Sequence, residues 1–149
     1  MNFREFLGLE TQEHYPGVYM ALKLSKKSER ELKEFCEILD EDLDENLHCT
    51  LIYSDKPFIG KIEVMDYSII VKPKKFSLFG ENNDILVLEV ESRMLMNRNR
   101  ELMQRYGFIQ NWEYNPHITL VTNFSGDIES LELPIFDIVL EKEYLEALE

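Results

Sequence analysis

Two short stretches of the chain carry the same arrangement of chemically active side chains. Residues 48–51 and 117–120 both read His-x-Thr-Leu, and together they hold two of the three histidines in the sequence. Both stretches lie in runs of apolar and β-branched residues, which are typical of β-strands. Because residues i and i+2 of a strand point to the same side, each strand would present one imidazole and one hydroxyl on a common face.

Two imidazoles that face each other are suited to acid–base chemistry at phosphorus. Histidine has an unperturbed pKa of about 6.5, so one ring can accept a proton while another donates one at the same pH. In-line displacement needs a base for the attacking water or ribose 2′-hydroxyl, and an acid for the leaving oxygen. Neighbouring threonine hydroxyls would donate hydrogen bonds to the phosphate oxygens. The pattern therefore requires no metal or other cofactor. It predicts four catalytic residues: His48, Thr50, His117 and Thr119.

Metal binding is the competing interpretation of the two histidines. Such a site needs at least one further ligand, which a carboxylate near the C-terminus could supply, from Asp137, Glu141 or Glu143. The sequence has neither the His-x-x-x-His nor the Cys-x-x-Cys spacing of common metal sites. A single His-x-Thr in a strand often carries no function, but two copies in a chain with three histidines favour paired acid–base catalysis.

The balance of charge limits the class of ligand. The chain has 16 Lys and Arg against 29 Asp and Glu, a net charge of −13 at pH 7. Proteins that bind long nucleic acids neutralise phosphates with a basic surface, so extended RNA or DNA is not expected as a partner. Residues 61–110 are nearly neutral, with eight basic and seven acidic side chains, and a few local cations there could hold a small anion.

Length and hydropathy predict a single cytoplasmic domain, residues 1–149. A chain of 149 residues is long enough to bury a core. No apolar run approaches the roughly 20 residues that cross a bilayer, and the first residues lack the layout of a signal peptide. Cys36 and Cys49 lie at apolar positions and indicate reduced core thiols rather than a disulfide framework. Oligomeric state is left open by these features.

Capping signals and hydrophobic periodicity place the elements. Ser28 with Glu31 forms a capping box before an amphipathic helix over 28–39. Ser92 caps a second helix, which Gly107 ends and whose arginines, Arg98 among them, are expected on its surface. Alternation predicts strands at the two motifs and at 18–24, 61–71, 76–79, 85–91 and 135–143.

This order favours an α+β fold with antiparallel sheets, because strands and helices do not alternate strictly and no glycine-rich phosphate loop is present. Each motif strand follows a serine-capped helix, which suggests an internal pseudo-two-fold repeat with the two motif strands side by side. Strict alternation places Tyr53 on the apolar face of the first motif strand. It also places Glu141 and Glu143 on one face of the last strand.

The paired motifs resemble those of the two-histidine (2H) phosphoesterase superfamily, which is defined by two His-x-Thr/Ser-x motifs. Residues 115–120, Asn-Pro-His-Ile-Thr-Leu, look like that family's Pro-His-Ile-Thr-Leu, and residues 76–80, Phe-Ser-Leu-Phe-Gly, resemble a segment between its motifs. The similarity spans roughly residues 17–143. It implies a bilobal fold with two antiparallel sheets lining a central groove, helices outside, and metal-independent cleavage of phosphodiesters on ribose.

Within the superfamily, the short acidic chain is most similar to the bacteriophage anti-CBASS nucleases. These enzymes degrade the cyclic di- and trinucleotides that bacteria make as antiviral alarms. The resemblance implies a substrate-binding tyrosine near the N-terminus, Tyr15 or Tyr19, and a glutamate near the C-terminus, Glu141 or Glu143. Trp112, just before the second motif, is either a rim aromatic or a side chain that stacks on a base.

The leading hypothesis is thus a phosphodiesterase that cleaves a 3′–5′ bond in a cyclic oligonucleotide of the cGAMP kind. The same site would suit a 2′,5′-oligoadenylate or a 2′,3′-cyclic phosphate. A third hypothesis is a protein that sequesters a nucleotide signal without cleaving it, although such a protein needs neither both histidines nor both threonines. The motifs leave open which histidine is the acid and which is the base.

Overall fold

The structure, a computed structural model, describes residues 13–39, 43 and 46–148. Within these ranges the chain forms eight strands, two α-helices and two short 3-10 helices. The strands are β1 (Glu13–Tyr15), β2 (Gly17–Leu24), β3 (His48–Ser54), β4 (Phe58–Gly60), β5 (Ser68–Phe79), β6 (Ile85–Glu91), β7 (His117–Val121) and β8 (Ile138–Leu148). The helices are α1 (Lys26–Phe35) and α2 (Arg93–Tyr106), and the 3-10 helices are Cys36–Leu39 and Ile128–Ser130.

Six of the described strands close into an antiparallel ring in the order β2-β3-β7-β6-β5-β8, and β1 pairs with β4 in a small second sheet. The ring closes because β8 is long. Its first residues pair with β5, and the residues from Leu140 onward pair with β2. The predicted α+β fold with antiparallel sheets is confirmed.

The two motif strands lie side by side at the junction of two similar halves. One half is β2, α1 and β3, and the other is β6, α2 and β7, each with a helix between two paired strands. Strands β3 and β7 meet where Cys49 pairs with Ile118. A single domain with an internal pseudo-repeat remains a prediction, and this common order of elements supports it.

The core lies between the apolar faces of the ring strands and one side of each helix. Side chains such as Met20, Leu32 and Leu102 are fully buried, and burying one of this size stabilises the fold by roughly 1.5–3 kcal/mol. Cys36 and Cys49 are free and buried, and burial raises the pKa of the Cys49 thiol to about 12. In the part of the chain described, neither helix is long and apolar enough to span a bilayer.

Helix α1 begins before the predicted residue 28 because Ser25, not Ser28, is its N-cap. The Ser25 Oγ accepts a hydrogen bond from the Ser28 backbone N–H (3.1 Å). Ser28 is buried, and its own Oγ accepts from the backbone N–H of Val139 (2.8 Å), which ties α1 to β8. The predicted range 28–39 is also wrong at its end, since the α-helix stops at Phe35 and continues as a 3-10 turn.

Helix α2 has the predicted limits, with Ser92 as N-cap and Gly107 in a left-handed conformation (φ 69°) at its end. The prediction that its arginines are exposed is wrong for Arg98, which is 8% exposed. Its Nε and Nη2 donate to the two carboxylate oxygens of Glu143 in β8 (2.7 and 2.9 Å). The same carboxylate accepts from the Tyr67 hydroxyl (2.6 Å). This buried ion pair joins α2 to the far side of the ring.

Strand β5 is continuous where the sequence predicts two strands, 61–71 and 76–79, and residues 61–67 are in no strand. Lys74, just after Pro73, is an extra residue relative to β6. A bulge at this place lets the strand continue past a proline, which cannot donate to the ladder. Strand β8 both begins and ends later than the predicted 135–143.

Both motif strands contain a bulge at the leucine of His-x-Thr-Leu. The extra residue is Leu51 in β3 and Leu120 in β7, and both side chains are fully buried. A bulge interrupts the alternation of faces. Consequently Ile52 joins the core while Tyr53 is 42% exposed, and the predicted placement of Tyr53 on the apolar face is wrong.

We expect Glu143→Gln to lower the free energy of unfolding by about 3 kcal/mol. The substitution leaves the buried Arg98 guanidinium with the exposed Glu101 as its remaining counter-charge, and breaking buried pairs in this way costs roughly 3–5 kcal/mol. Urea denaturation would measure the change. Glu146→Gln, at an exposed position of the same strand, is the control and should change stability by less than about 0.5 kcal/mol. Equal effects of the two substitutions would contradict the structural role of Glu143.

Candidate active site

The junction of β3 and β7 brings the two His-x-Thr motifs together. The antiparallel pair Cys49 and Ile118 is fully buried, so the residues on either side of it point to the opposite, wet face. The register then sets His48 opposite Thr119 and Thr50 opposite His117. All four polar side chains are half-buried. Each histidine is therefore beside the threonine of the other motif.

The same hydrogen bond orients both imidazoles. The Nδ1 of His48 is 2.8 Å from the backbone carbonyl oxygen of Asn46, and the Nδ1 of His117 is 2.8 Å from the backbone carbonyl oxygen of Asn115. A carbonyl can only accept, so each Nδ1 carries the hydrogen and donates it. The neutral ring is then left with an unprotonated Nε2 that can take a proton from a nucleophile. Both rings are thus fixed in the tautomer that acid–base catalysis requires.

Two asparagines that the His-x-Thr-Leu pattern does not include precede the histidines at equivalent positions. Both motifs extend to Asn-x-His-x-Thr-Leu, at residues 46–51 and 115–120. In both motifs, the backbone carbonyl of the asparagine two positions before the histidine contacts the imidazole Nδ1. The repeat of six positions would have predicted equal anchoring of the two rings.

Thr50 is held by tyrosines on both sides. The Tyr19 hydroxyl is 3.0 Å from the Thr50 Oγ1, and its ring makes an edge contact with the His48 ring at 6.1 Å between centroids. The Tyr114 hydroxyl donates to the Thr50 carbonyl (2.7 Å). Burial raises the pKa of Tyr19, an effect that its hydrogen bonds with Thr50 and Tyr144 partly offset. Tyr19 therefore keeps its proton at neutral pH and can donate it.

Glu89 positions His117 through Asn115. One Glu89 carboxylate oxygen accepts from the Asn115 side-chain amide (2.8 Å), and the other accepts from the Ser77 hydroxyl. Burial alone would raise the pKa of Glu89, but these hydrogen bonds and the nearby Lys75 lower it below its ordinary value. The ionised Glu89 carboxylate thus fixes Asn115, whose backbone carbonyl orients the His117 ring.

The two halves of the site carry opposite charges at matching positions. In the first half, Lys23 of β2 is directly opposite His48, and Glu141 of β8 is opposite Lys23. In the second half, Glu89 of β6 is opposite His117, and Lys75 of β5 is opposite Glu89. A cation therefore adjoins one histidine and an anion adjoins the other, so the two rings are chemically inequivalent.

The structure separates Glu141 from Glu143. Lys142 between them has a φ of 56° and is an extra residue, so Glu141 pairs with Lys23 whereas Glu143 pairs with Leu22. Neighbouring residues of β2 point to opposite faces, and the prediction that the two glutamates share a face is wrong. Glu141 lines a cavity with His48, and Glu143 is buried against α2.

The structure also separates Tyr15 from Tyr19. Tyr15 lies in the small β1–β4 sheet, where its ring is 6.2 Å from that of Phe58 and its hydroxyl donates to Glu13. Its contacts among the described residues include neither motif histidine. Tyr19 contacts both His48 and Thr50. Of the two candidates, Tyr19 is the one beside the motifs.

An aromatic cavity of about 410 Å³ opens beside Thr50 and His117. Tyr53 and Trp112 form its rim, 42% and 53% exposed, with ring centroids 6.0 Å apart. Phe79 forms part of its wall and makes an edge contact with the His117 ring at 4.8 Å. An exposed aromatic rim over a polar floor is suited to stacking a nucleobase. Trp112 is thus near the second motif, as a base-stacking role requires.

The metal interpretation gains no support from the geometry. Among residues 13–39, 43 and 46–148, no group of three or more His, Cys, Asp and Glu side chains is placed to hold a metal ion. Of the candidate carboxylate ligands, Glu143 is buried against Arg98, and Glu141 lines a cavity with His48 that His117 does not line. Independence from metal remains a prediction.

A family comparison identifies the chain. The model of the family described as anti-CBASS protein Acb1 matches residues 16–149. The chain belongs to this family. Membership of the Acb1 family confirms the resemblance drawn from the motifs. A search of curated proteins gave no match.

Solved structures of phosphoesterases have the same fold as this Acb1 family member. A crystal structure described as a phosphoesterase has a TM-score of 0.60 at 16% identity, covering 88% of this chain and 87% of that one. E. coli LigT complexed with phosphate has a TM-score of 0.60 at 14% identity, covering 91% and 88%. LigT complexed with 3′-AMP has a TM-score of 0.56 at 15% identity with the same coverage. Fold and Acb1 family together support a phosphodiesterase that counters CBASS.

We expect Tyr19→Phe to lower kcat/KM of the phosphodiesterase reaction by about 10-fold, because it removes the hydrogen bond that orients Thr50. Tyr15→Phe is the matched control and should leave kcat/KM unchanged, since it removes only the hydrogen bond to Glu13. Steady-state kinetics of both variants would decide between the tyrosines. Loss of activity in the Tyr15 variant alone would overturn the assignment.

We expect Glu89→Ala to lower kcat by about 10-fold or more with little change in KM, because misplacing a catalytic ring costs turnover rather than affinity. Glu89→Gln keeps an oxygen that accepts from the Asn115 amide and should retain most of kcat. Glu81→Ala, at an exposed position of the turn before the same strand, controls for the loss of charge. If the Gln variant loses as much kcat as the Ala variant, the carboxylate acts otherwise than by holding Asn115.

Proposed function

We propose that this protein cleaves 3′–5′ phosphodiester bonds in cyclic di- or trinucleotides without a metal ion and thereby removes a CBASS signal. The observation that carries the proposal is the pair of Nδ1-anchored imidazoles on neighbouring strands, each set opposite the threonine of the other motif. Family membership supports the biological role, and the fold supports the reaction class.

The mechanism follows from the arrangement of these four side chains. The scissile phosphate lies between the histidines, where the Thr50 and Thr119 hydroxyls donate to its non-bridging oxygens. One Nε2 removes the proton of the ribose 2′-hydroxyl, and the 2′-oxygen bonds to phosphorus. The other imidazole, protonated, gives its proton to the leaving 5′-oxygen as the P–O5′ bond breaks. The first product carries a 2′,3′-cyclic phosphate, which water opens with the two roles exchanged.

The size and charge of the site favour a small substrate. A cavity of about 410 Å³ lies within the range of pockets that bind small ligands, and its rim of Tyr53 and Trp112 can stack on one base. A chain of net charge −13 would repel long RNA. Tyr19 and Glu141, on the side of His48, are the residues we expect to contact the other nucleotide.

A closely related alternative keeps the mechanism and changes the substrate. The similar fold of LigT has been solved with 3′-AMP, a ribonucleotide with a 3′-phosphate. On that ground a 2′,5′-oligoadenylate or a 2′,3′-cyclic phosphate end is the second candidate substrate. Sequestration of a nucleotide without cleavage is the third candidate. Cleavage of a bacterial signal would place the protein in the cytoplasm of the infected cell.

A panel of substrates separates these functions. Purified protein is incubated in the presence of EDTA with cyclic di- and trinucleotides, with 2′,5′-oligoadenylate and with a nucleoside 2′,3′-cyclic phosphate. We expect cleavage of at least one cyclic dinucleotide and no effect of the chelator. Cleavage of 2′,5′-oligoadenylate alone would favour the alternative, and retention of intact ligand would favour sequestration. Loss of activity on chelation would show that a metal takes part.

We expect His48→Ala and His117→Ala each to lower kcat by about 10²–10⁴-fold, the usual contribution of a general acid or base. His14→Ala, at an exposed position of β1, is the control for loss of an imidazole and should keep normal kcat. Single-turnover rates on the best cyclic dinucleotide would measure all three. Normal turnover in either motif variant would rule out the two-histidine mechanism.

A further inference from the structure

A cavity of about 1060 Å³ lies beside the second motif rather than between the histidines. It is bounded by the end of β6, the first turns of α2 and the residues before β7. Four basic side chains line it, and we call it the cationic cavity: Lys74, Lys75, Arg93 and Arg100. Nothing in the proposed reaction so far uses these residues.

The cationic cavity is continuous with the catalytic face. Lys75, Glu89 and His117 pair in a row across β5, β6 and β7, so their side chains share one face of the sheet. Tyr114 and Asn115 line both this cavity and the aromatic cavity. A ligand whose base stacks at the aromatic rim can therefore reach the cationic cavity by passing His117.

A bulge in β5 directs two successive lysines into the cationic cavity. Lys74 is the extra residue after Pro73, and Lys75 pairs with Glu89. Strict alternation would send consecutive side chains to opposite faces, whereas a bulge re-aims one of them. Both lysines line the same cavity as a result.

Three of the four cations of this cavity form no close ion pair, although three carboxylates also line it. Among the described residues, Lys74, Arg93 and Arg100 make no ion pair within 4 Å, and Lys75 is 3.7 Å from Glu89. The Glu89 carboxylate is already engaged by Ser77 and Asn115. Glu91 and Glu113 also line the cavity and are exposed.

Some cations elsewhere on the described chain are paired with carboxylates. Lys33 is 2.7 Å from Glu29, and Arg105 is 3.4 Å from Glu63. The cationic cavity gathers four of the 16 Lys and Arg of a chain whose net charge is −13. Free guanidinium groups are suited to bidentate contacts with phosphate.

We propose that the cationic cavity binds a second, non-scissile phosphate of an oligonucleotide whose scissile phosphate lies at the two histidines. This inference rests on the proposed function, because it concerns the same ligand. A cyclic di- or trinucleotide always carries such a second phosphate, while a nucleoside 2′,3′-cyclic phosphate carries none. The cavity would therefore favour cyclic oligonucleotides over single-phosphate substrates.

The test compares ligands that differ by one phosphate. Calorimetry on the His48→Ala protein, which should bind without turnover, measures Kd for cyclic dinucleotides and for the linear dinucleotides ApA and pApA. Arg93→Ala and Arg100→Ala are each added to this background. Arg105→Ala is the matched control, from the same helix but outside the cavity.

We expect each cavity substitution to weaken binding of the cyclic dinucleotide and of pApA by about 10-fold, the effect of losing one charge-assisted hydrogen bond. Binding of ApA and all binding by the Arg105 variant should change less than about twofold. The dependence of Kd on salt concentration should also weaken in each variant, because one screened charge pair with the ligand is lost. A merely structural role of the arginines would weaken the binding of all three ligands equally.

The outcomes distinguish this inference from the proposed function. If the protein with both histidines cleaves cyclic dinucleotides and the arginine variants bind them as the control does, the second-phosphate site is wrong and the function stands. If no cyclic dinucleotide binds but pApA binds more tightly than ApA through Arg93 and Arg100, the site stands and the substrate is another oligonucleotide. Equal binding of ApA and pApA by the protein with intact arginines would overturn the site.

Discussion

The arrangement of the two His-x-Thr motifs depends on one backbone contact. Strands β3 and β7 are antiparallel neighbours and pair through Cys49 and Ile118. Both strands bulge at the leucine that follows, which increases their local twist and ends the regular ladder. One pair of residues would align two strands poorly. The second contact comes from α2, whose Asn99 donates to the Leu51 carbonyl in β3 (2.8 Å) and whose Arg98 holds Glu143 in β8. A helix of one half thus contacts the motif strand of the other half and fixes its position.

In the proposed reaction, the equal scaffold and the unequal charges would serve different steps. Two rings anchored by identical carbonyl contacts give the geometry that in-line displacement needs on both sides of phosphorus. Acid and base must nevertheless differ at the start of the reaction. The row from His48 contains Lys23, while the row from His117 contains Glu89. The repeated fold therefore places the two histidines alike. The residues on the neighbouring strands, Lys23 and Glu89, differ in charge and make the two histidines inequivalent.

Patterns of local sequence predicted the fold class, the limits of α2 and the positions of both motif histidines, because period-two alternation and capping act within a few residues. Bulges were not predictable from alternation, and a bulge explains each side chain that was predicted on the wrong face of its strand. Tyr53 reaches the rim because of Leu51, and Glu141 parts from Glu143 because of Lys142. Arg98 was misplaced for another reason, since its partner lies on a distant strand and no local pattern shows it.

A protein of net charge −13 can still bind a phosphate-rich ligand, because local charges outweigh distant ones. At physiological ionic strength the Debye length is about 8 Å, so exposed carboxylates farther away are largely screened. A small oligonucleotide that fits between the aromatic rim and Arg93 lies within reach of the four cations of the cationic cavity, which Glu91 and Glu113 also line. A long RNA would leave that region and meet the excess of acidic side chains in the rest of the chain. The uneven placement of charge therefore supports the proposal of a short ligand, whichever bases it carries.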